Sequence, residues 1–183
     1  VKTAWNLKKK QERLQISAET IIASKANSVT VVTGFEHQKI KESIKTPNIE
    51  FIHNKNFRNG ISSSVVSAIK SAPEDCSAIL IGLGDMPKIT VSHINKLIDA
   101  YNPLEGRAIC VPTWKGKRGN PVLWSRRFFP EMLELKGDFG AKELMGKYAE
   151  LVVEVEMNDN GIVMDIDTPE ALEAFRNTNH RSE

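Results

Sequence analysis

The run Ala78-Ile79-Leu80-Ile81-Gly82-Leu83-Gly84-Asp85-Met86-Pro87 constrains the fold of this chain more than any other stretch. Its apolar residues are contiguous and are closed by glycine and proline. That pattern predicts a strand buried on both faces, running into a tight turn that carries one carboxylate. In open α/β sheets, ligands gather just beyond the carboxyl ends of the strands. Asp85 at such a point is placed to hold a hard cation such as Mg²⁺. An Asp that only caps the turn is the plainer reading of a lone Asp-x-Pro.

The rest of the chain alternates strand and helix. Residues 14–26 read as a helix, with Ile21 and Ile22 on its apolar side. Val29-Thr30-Val31-Val32-Thr33 is a β-branched strand ended by Gly34. A short helix is expected at 36–44 and a short strand at 49–52. Asn59-Gly60 breaks the chain before a helix with Val65, Val66 and Ile69 inward. Thr90 is a good N-cap for a helix whose buried stripe is Val91, Ile94, Leu97, Ile98 and Tyr101. Strands are expected at 108–112, 121–124 and 151–155, with short helices at 126–135 and 141–148. The stretch 113–120 reads as a basic loop, with its flanking strands forming a hairpin-like insertion. Near the C-terminus, Gly161-Ile162-Val163-Met164-Asp165-Ile166-Asp167 leads into a last helix capped by Thr168, with Pro169 in its first turn.

This rhythm predicts a three-layer α/β fold: a mostly parallel, Rossmann-like sheet with helices on both faces. Residues 1–183 are expected to form a single domain, without repeat or linker. A net charge of +2 offers no field to attract nucleic acid or an anionic membrane, and Lys8-Lys9-Lys10 reads as a solvated helix start. Cys76 and Cys110 have neither zinc-site spacing nor the number of a disulfide scaffold, so cytosolic thiols are expected. No apolar segment is long enough to span a bilayer, and no secretory pattern opens the chain. The first residue is Val rather than Met, so a fragment or a processed product is expected.

Asp85 and Asp167 each follow an apolar strand and precede a proline-containing turn. Parallel strands would bring both to one edge of the sheet. Two carboxylates with phosphate and solvent oxygens would make an octahedral Mg²⁺ site suited to phosphoryl or nucleotidyl transfer. The alternative, that Asp167 only assists the cap of the last helix, carries equal weight on the residues alone. Asn59-Gly60-Ile61-Ser62-Ser63-Ser64 supplies small residues, hydroxyls and amides at a helix start, a natural anion or ribose cradle as well as an ordinary cap. Lys117-Arg118-Gly119-Asn120-Pro121 could bind an anionic acceptor or be a solvated loop. His37, His53, His93 and His180 lack ligand spacing and receive no role. The tryptophans read as packing. There is no nucleophile elbow, P-loop or dinucleotide fingerprint.

In their order and spacing, six segments resemble the molybdenum cofactor nucleotidyltransferases, and the cytidylyltransferase branch most. They are Val31-Val32-Thr33-Gly34, Asn59-Gly60-Ile61-Ser62-Ser63-Ser64, Leu83-Gly84-Asp85-Met86-Pro87, Arg118-Gly119-Asn120-Pro121-Val122, Gly137-Asp138-Phe139-Gly140-Ala141 and Asp165-Ile166-Asp167-Thr168-Pro169-Glu170. The resemblance implies a nucleotide-diphospho-sugar-transferase-type fold. It implies transfer of CMP from CTP, with GTP as second choice, to the terminal phosphate of a molybdopterin-type acceptor, releasing pyrophosphate. Asp85 and Asp167 would ligate Mg²⁺; Gly60, Ser62, Ser63, Ser64 and Gly84 would line the nucleotide. Arg118, Gly119, Asn120 and Pro121 would face the acceptor, with Asn120 standing where histidine is usual. A molybdoenzyme or a maturation chaperone would be the protein partner, in the cytoplasm.

The family opens with a central strand and a glycine-rich loop wrapping the triphosphate, followed by a lysine. This sequence begins just after that loop, with Lys2 at the lysine's place. The expectation is therefore an N-terminally truncated domain whose sheet lacks its first central strand. Each buried backbone group left unpaired there costs about 1–3 kcal/mol, so something must complete the sheet. Two other readings stay open. One is a non-catalytic nucleotide- or pterin-binding module of a larger protein, and the other is a sugar-nucleotide pyrophosphorylase.

Overall fold

The computed structural model describes residues 2–138 and 140–164, with side chains from residue 11 onward. Helix α1 spans Lys2–Ile22, beginning well before the expected residue 14. Residues 2–13 hold four lysines and single Ala, Leu, Gln, Glu and Arg residues, which favour helix by propensity without forming an apolar stripe. Strand β1 (Val29–Thr33) pairs in parallel with β2 (Ile49–His53), joined through α2 (His37–Ser43). Helix α3 (Ile61–Ser71) leads to β3 (Ala78–Ile81), and α4 (Val91–Ala100) leads to β4 (Ile109–Trp114). The short β5 (Lys117–Arg118) turns back on the end of β4 within the stretch expected to be a loop, and β6 (Val122–Ser125) follows and pairs with β4, as expected of the two flanking strands. Short helices α5 (Phe129–Met132) and α6 (Lys142–Lys147) precede β7 (Val152–Glu156), which runs into a 3-10 turn at Asn160–Val163.

In the main sheet β3 pairs with β6, β6 with β4, and β4 with β7. The β4–β7 pair is parallel and β6 is antiparallel to both its neighbours. A parallel crossover needs a dozen or more residues, and only a short hairpin connects β4 to β6, so β6 must return in the opposite sense. Consequently β3, β4 and β7 all end at one edge of the sheet, where β6 begins.

Both faces of the sheet are covered, as alternate strand residues show. Ile109, Val111, Val122 and Trp124 pack with Val65 and Ile69 of α3 and with Phe129, Met132 and Leu144 of α5 and α6. Cys110 and Leu123 face the other way, onto Ile94 and Leu97 of α4. Two-sided burial of a strand gives a near-continuous apolar run, which is why these segments were legible.

The sheet is in two parts: β1–β2 shares no ladder with β3 among the described residues. Helix α3 packs on β1, and its Val65 and Ile69 belong to the cluster that also takes Ile79 and Ile81 of β3. Helix α1 packs on β1 and places Leu14 against the turn after β3. These two helices hold the parts together. With a strand on one edge only, all four β3 residues remain partly exposed, less buried than expected for a central strand.

Candidate functional site

Two groups of loops gather at strand ends. The first surrounds Asp85. The turn after β3 is anchored by Met86 and Ile89, both buried, and leads into the Thr90 cap of α4. Asp85 itself is half-buried. Among the described residues its carboxylate makes no hydrogen bond and no ion pair, so it does not cap the turn. The backbone before it, residues 82–84, is exposed but closely approached at its two glycines. A β-carbon at Gly84 would lie 2.9 Å from Leu14 Cδ1, and one at Gly82 would lie 3.2 Å from Pro121 Cβ.

The segment before β6 joins this group. Asn120 N–H donates to the Ile162 carbonyl at 2.9 Å, and Gly119 N–H donates to the Pro112 carbonyl at 2.9 Å. Gly119, Asn120 and Pro121 thus lie between the Asp85 turn and residues 160–163. Arg118 is turned to the surface, where its Nε donates to Glu154 Oε1 at 2.7 Å. The segment after β7 closes the group: Gly161 lies against the Lys88 carbonyl, and Lys88 Nζ is 3.5 Å from Met164 Sδ. Residues 159–164 lead directly toward Asp165 and Asp167, which lie outside the described residues, as do Thr168, Pro169 and the side chain of Lys2.

The second group is built on the start of α3. Gly60 has φ 92°, a conformation that glycine adopts without strain, and a β-carbon there would stand 2.5 Å from the Gly137 carbonyl oxygen. Ile61 N–H donates to Asp138 Oδ1 at 3.3 Å and Ser62 N–H to the Gly137 carbonyl at 3.1 Å. The turn at 136–138 therefore caps α3 from outside. Ser62 is fully buried and its hydroxyl donates to the Lys136 carbonyl at 3.2 Å. Ser63 and Ser64 instead accept from Asn54 Nδ2 at 2.8 and 3.1 Å. Asn54 is 3% exposed and its own N–H donates to the Thr33 carbonyl at 2.8 Å. It ties the ends of β1 and β2 to α3, a role the sequence reading missed. A polar residue directly after a strand is a weak signal, and only its burial reveals the function.

At that same end, His37 and His53 stack with ring centroids 4.7 Å apart, and His37 Nδ1 lies 2.5 Å from Thr33 Oγ1. Partial burial lowers the His37 pKa, with the nearby His53 and Lys41 charges adding to the effect. Burial pushes the Cys110 thiol up to about 11, against a smaller opposing effect of Arg107. Among the described residues no three His, Cys, Asp or Glu side chains cluster as a metal site. No helix among them is long and apolar enough to cross a membrane.

The model of the MobA-like NTP transferase domain matches residues 4–152. The chain belongs to this family. It is a nucleotidyltransferase with the nucleotide-diphospho-sugar transferase fold, as the six sequence segments led one to expect. Across 172 residues it is 30% identical to the purine catabolism protein PucB of Bacillus subtilis, covering 88% of this chain and 81% of that protein. It is 27% identical over 146 residues to the molybdenum cofactor cytidylyltransferase of Escherichia coli, covering 78% and 70% respectively. Its fold also matches the Mycobacterium tuberculosis protein Rv0371C, solved in complex with manganese. There the TM-score is 0.72 and the identity 18%, with coverage of 88% of this chain and 84% of the other.

Proposed function

We propose that this nucleotidyltransferase moves CMP from CTP onto the terminal phosphate of a molybdopterin-type acceptor and releases pyrophosphate in the cytoplasm. The observation that carries this reading is the Asp85 carboxylate, without a partner among the described residues, at the edge where β3, β4 and β7 end. Residues 159–164, which lead to Asp167, pack against the same turn. A hard carboxylate oxygen without a partner among the described residues suits a divalent cation, so the donor fits Mg²⁺ or Mn²⁺. The manganese complex of Rv0371C supports the same choice of ion. Asp85 and Asp167 would hold it, and it would neutralise charge on the triphosphate.

The remaining work belongs to the chain. The end of β1 and the Gly60-to-Ser64 turn would position the nucleotide, with the buried Ser62 bracing that turn from within rather than facing the ligand, and with Gly84 near its phosphates. Lys2 would add positive charge beside the transferring phosphoryl group. Gly119, Asn120 and Pro121, with Arg118 at their rim, would hold the acceptor so that one phosphate oxygen lies in line with the α-phosphorus. Positioning of this kind accounts for much of the acceleration in phosphoryl transfer. A molybdoenzyme or maturation chaperone would receive the product.

The 30% identity to PucB favours a second reading, a nucleotidyltransferase serving purine catabolism. Pyrophosphate release, measured with CTP and GTP against molybdopterin and against sugar phosphates, tests these readings. Release that requires CTP, molybdopterin and a divalent ion is the expected result. Release with sugar phosphates alone would replace the reading with a pyrophosphorylase. Tight nucleotide binding with no release under any condition would make the chain a binding module.

A further inference from the structure

Helix α4 carries a buried histidine that the proposed chemistry does not use. His93 is 3% exposed. Its Nδ1 accepts the backbone N–H of Thr90 at 3.3 Å. Its Nε2 lies 3.2 Å from Asp159 Oδ2, within ion-pair distance. The other oxygen of that carboxylate, Oδ1, accepts Gly161 N–H at 2.8 Å. Gly161 has no spare room: a β-carbon would stand 2.4 Å from the Lys88 carbonyl oxygen and 3.1 Å from His93 Cε1. One residue further, the Ile162 carbonyl accepts Asn120 N–H at 2.9 Å.

These contacts form one unbroken path. It begins at the Asp85 turn, whose last residues are Lys88 and Thr90, passes through His93 to Asp159, Gly161 and Ile162, and ends at Asn120. We infer that His93 is a positioning residue: it fixes residues 159–162 against the Asp85 turn and thereby sets where Gly119 and Asn120 stand. The inference rests on the proposed assignment of residues 118–121 to the acceptor. A histidine that only caps α4 would need the contact with Thr90, but it would not need Asp159. The nucleotide side of the molecule is held separately, by Asn54 and the turn at 136–138.

Hydrogen exchange on the full chain tests this, with His93→Phe, which keeps a ring of similar size but neither nitrogen. The amides of Gly119, Asn120, Gly161 and Ile162 should exchange about tenfold faster or more, and those of residues 54–64 should be unchanged. Asp159→Ala should give the same local pattern, because it cuts the path from its exposed side and spares the core should His93→Phe fail to fold. His93→Gln, which keeps a polar side chain within reach of both Thr90 and Asp159, should largely restore protection. With molybdopterin as acceptor, His93→Phe should raise the acceptor KM several-fold and leave the CTP KM unchanged. Uniform acceleration across the chain, or unchanged exchange at Gly119 and Asn120, would reduce His93 to a core residue and overturn the inference. If the unmodified protein shows no turnover with molybdopterin, the acceptor assignment fails, and the exchange pattern alone then decides whether His93 fixes the loop.

Discussion

Gly119 and Ile162 meet so closely that a β-carbon on the first would stand 2.1 Å from the carbonyl oxygen of the second. Residue 119 precedes β6 and residue 162 follows β7. The contact therefore locks two loops from opposite sides of β4 at the edge that also holds Asp85. No side chain larger than hydrogen fits without moving one loop. Gly119→Ala should lower stability by about 1–3 kcal/mol, as overpacked sites do. It should also weaken acceptor-dependent turnover more than nucleotide binding. Urea unfolding and KM values for each substrate check both statements.

Asn54 supports the other half of the site. Its side chain donates to Ser63 and Ser64 and accepts from Asn56 N–H at 2.9 Å. Asn54→Ala removes all three bonds in a buried position and should cost about 1–3 kcal/mol. The start of α3 should loosen with it. Calorimetry should show a lower Tm, and nucleotide affinity should fall. Unchanged nucleotide affinity would argue against placing the nucleotide along the 60–64 turn.

The stacked histidines give a pH dependence with a defined sign. Because His37 is held below its ordinary value of 6.5, the neutral ring is favoured in the fold. Its contribution to stability is present above pH 6.5 and is lost as pH falls through the lower folded value. An NMR titration should find His37 protonating at lower pH than a free histidine. In His53→Gln it should move part of the way back, since burial, the larger cause, is retained.

Much of this architecture was legible because two-sided burial writes itself as contiguous apolar residues. Ile109 to Val111 and Val122 to Trp124 alternate between two clusters, and both segments stand out in the sequence. The Thr90 cap and the stripe through Ile94 and Leu97 were equally clear. The early start of α1 was not, because its lysines and other polar residues leave no stripe. The candidate site was legible only as separate pieces. Nothing in the linear pattern says that the amides of Ile61 and Ser62 are taken by Asp138 and Gly137, or that Arg118 pairs with Glu154. His93 and Asn54 were invisible for the same reason: each acts through partners remote along the chain.

The two cysteines should differ in reactivity. Cys110 is fully buried, with its thiol pushed up to about 11, whereas Cys76 is half-buried. Only the thiolate reacts readily, so alkylation of the native protein at pH 8 should label Cys76 and spare Cys110. Mass spectrometry of tryptic peptides separates the two sites. Labelling of Cys110 at a comparable rate would mean that the interface between α4 and the sheet opens in solution.

The central claim is that Asp85 serves a divalent ion during nucleotidyl transfer. Its most direct test is Asp85→Asn, which keeps the shape of the side chain and removes its charge. Pyrophosphate release is measured while Mg²⁺ or Mn²⁺ is titrated at fixed CTP and molybdopterin. The account predicts that turnover falls by roughly two to three orders of magnitude, with the fold intact by circular dichroism. An Asp85→Asn protein that keeps full turnover and the same half-saturating metal concentration would contradict it.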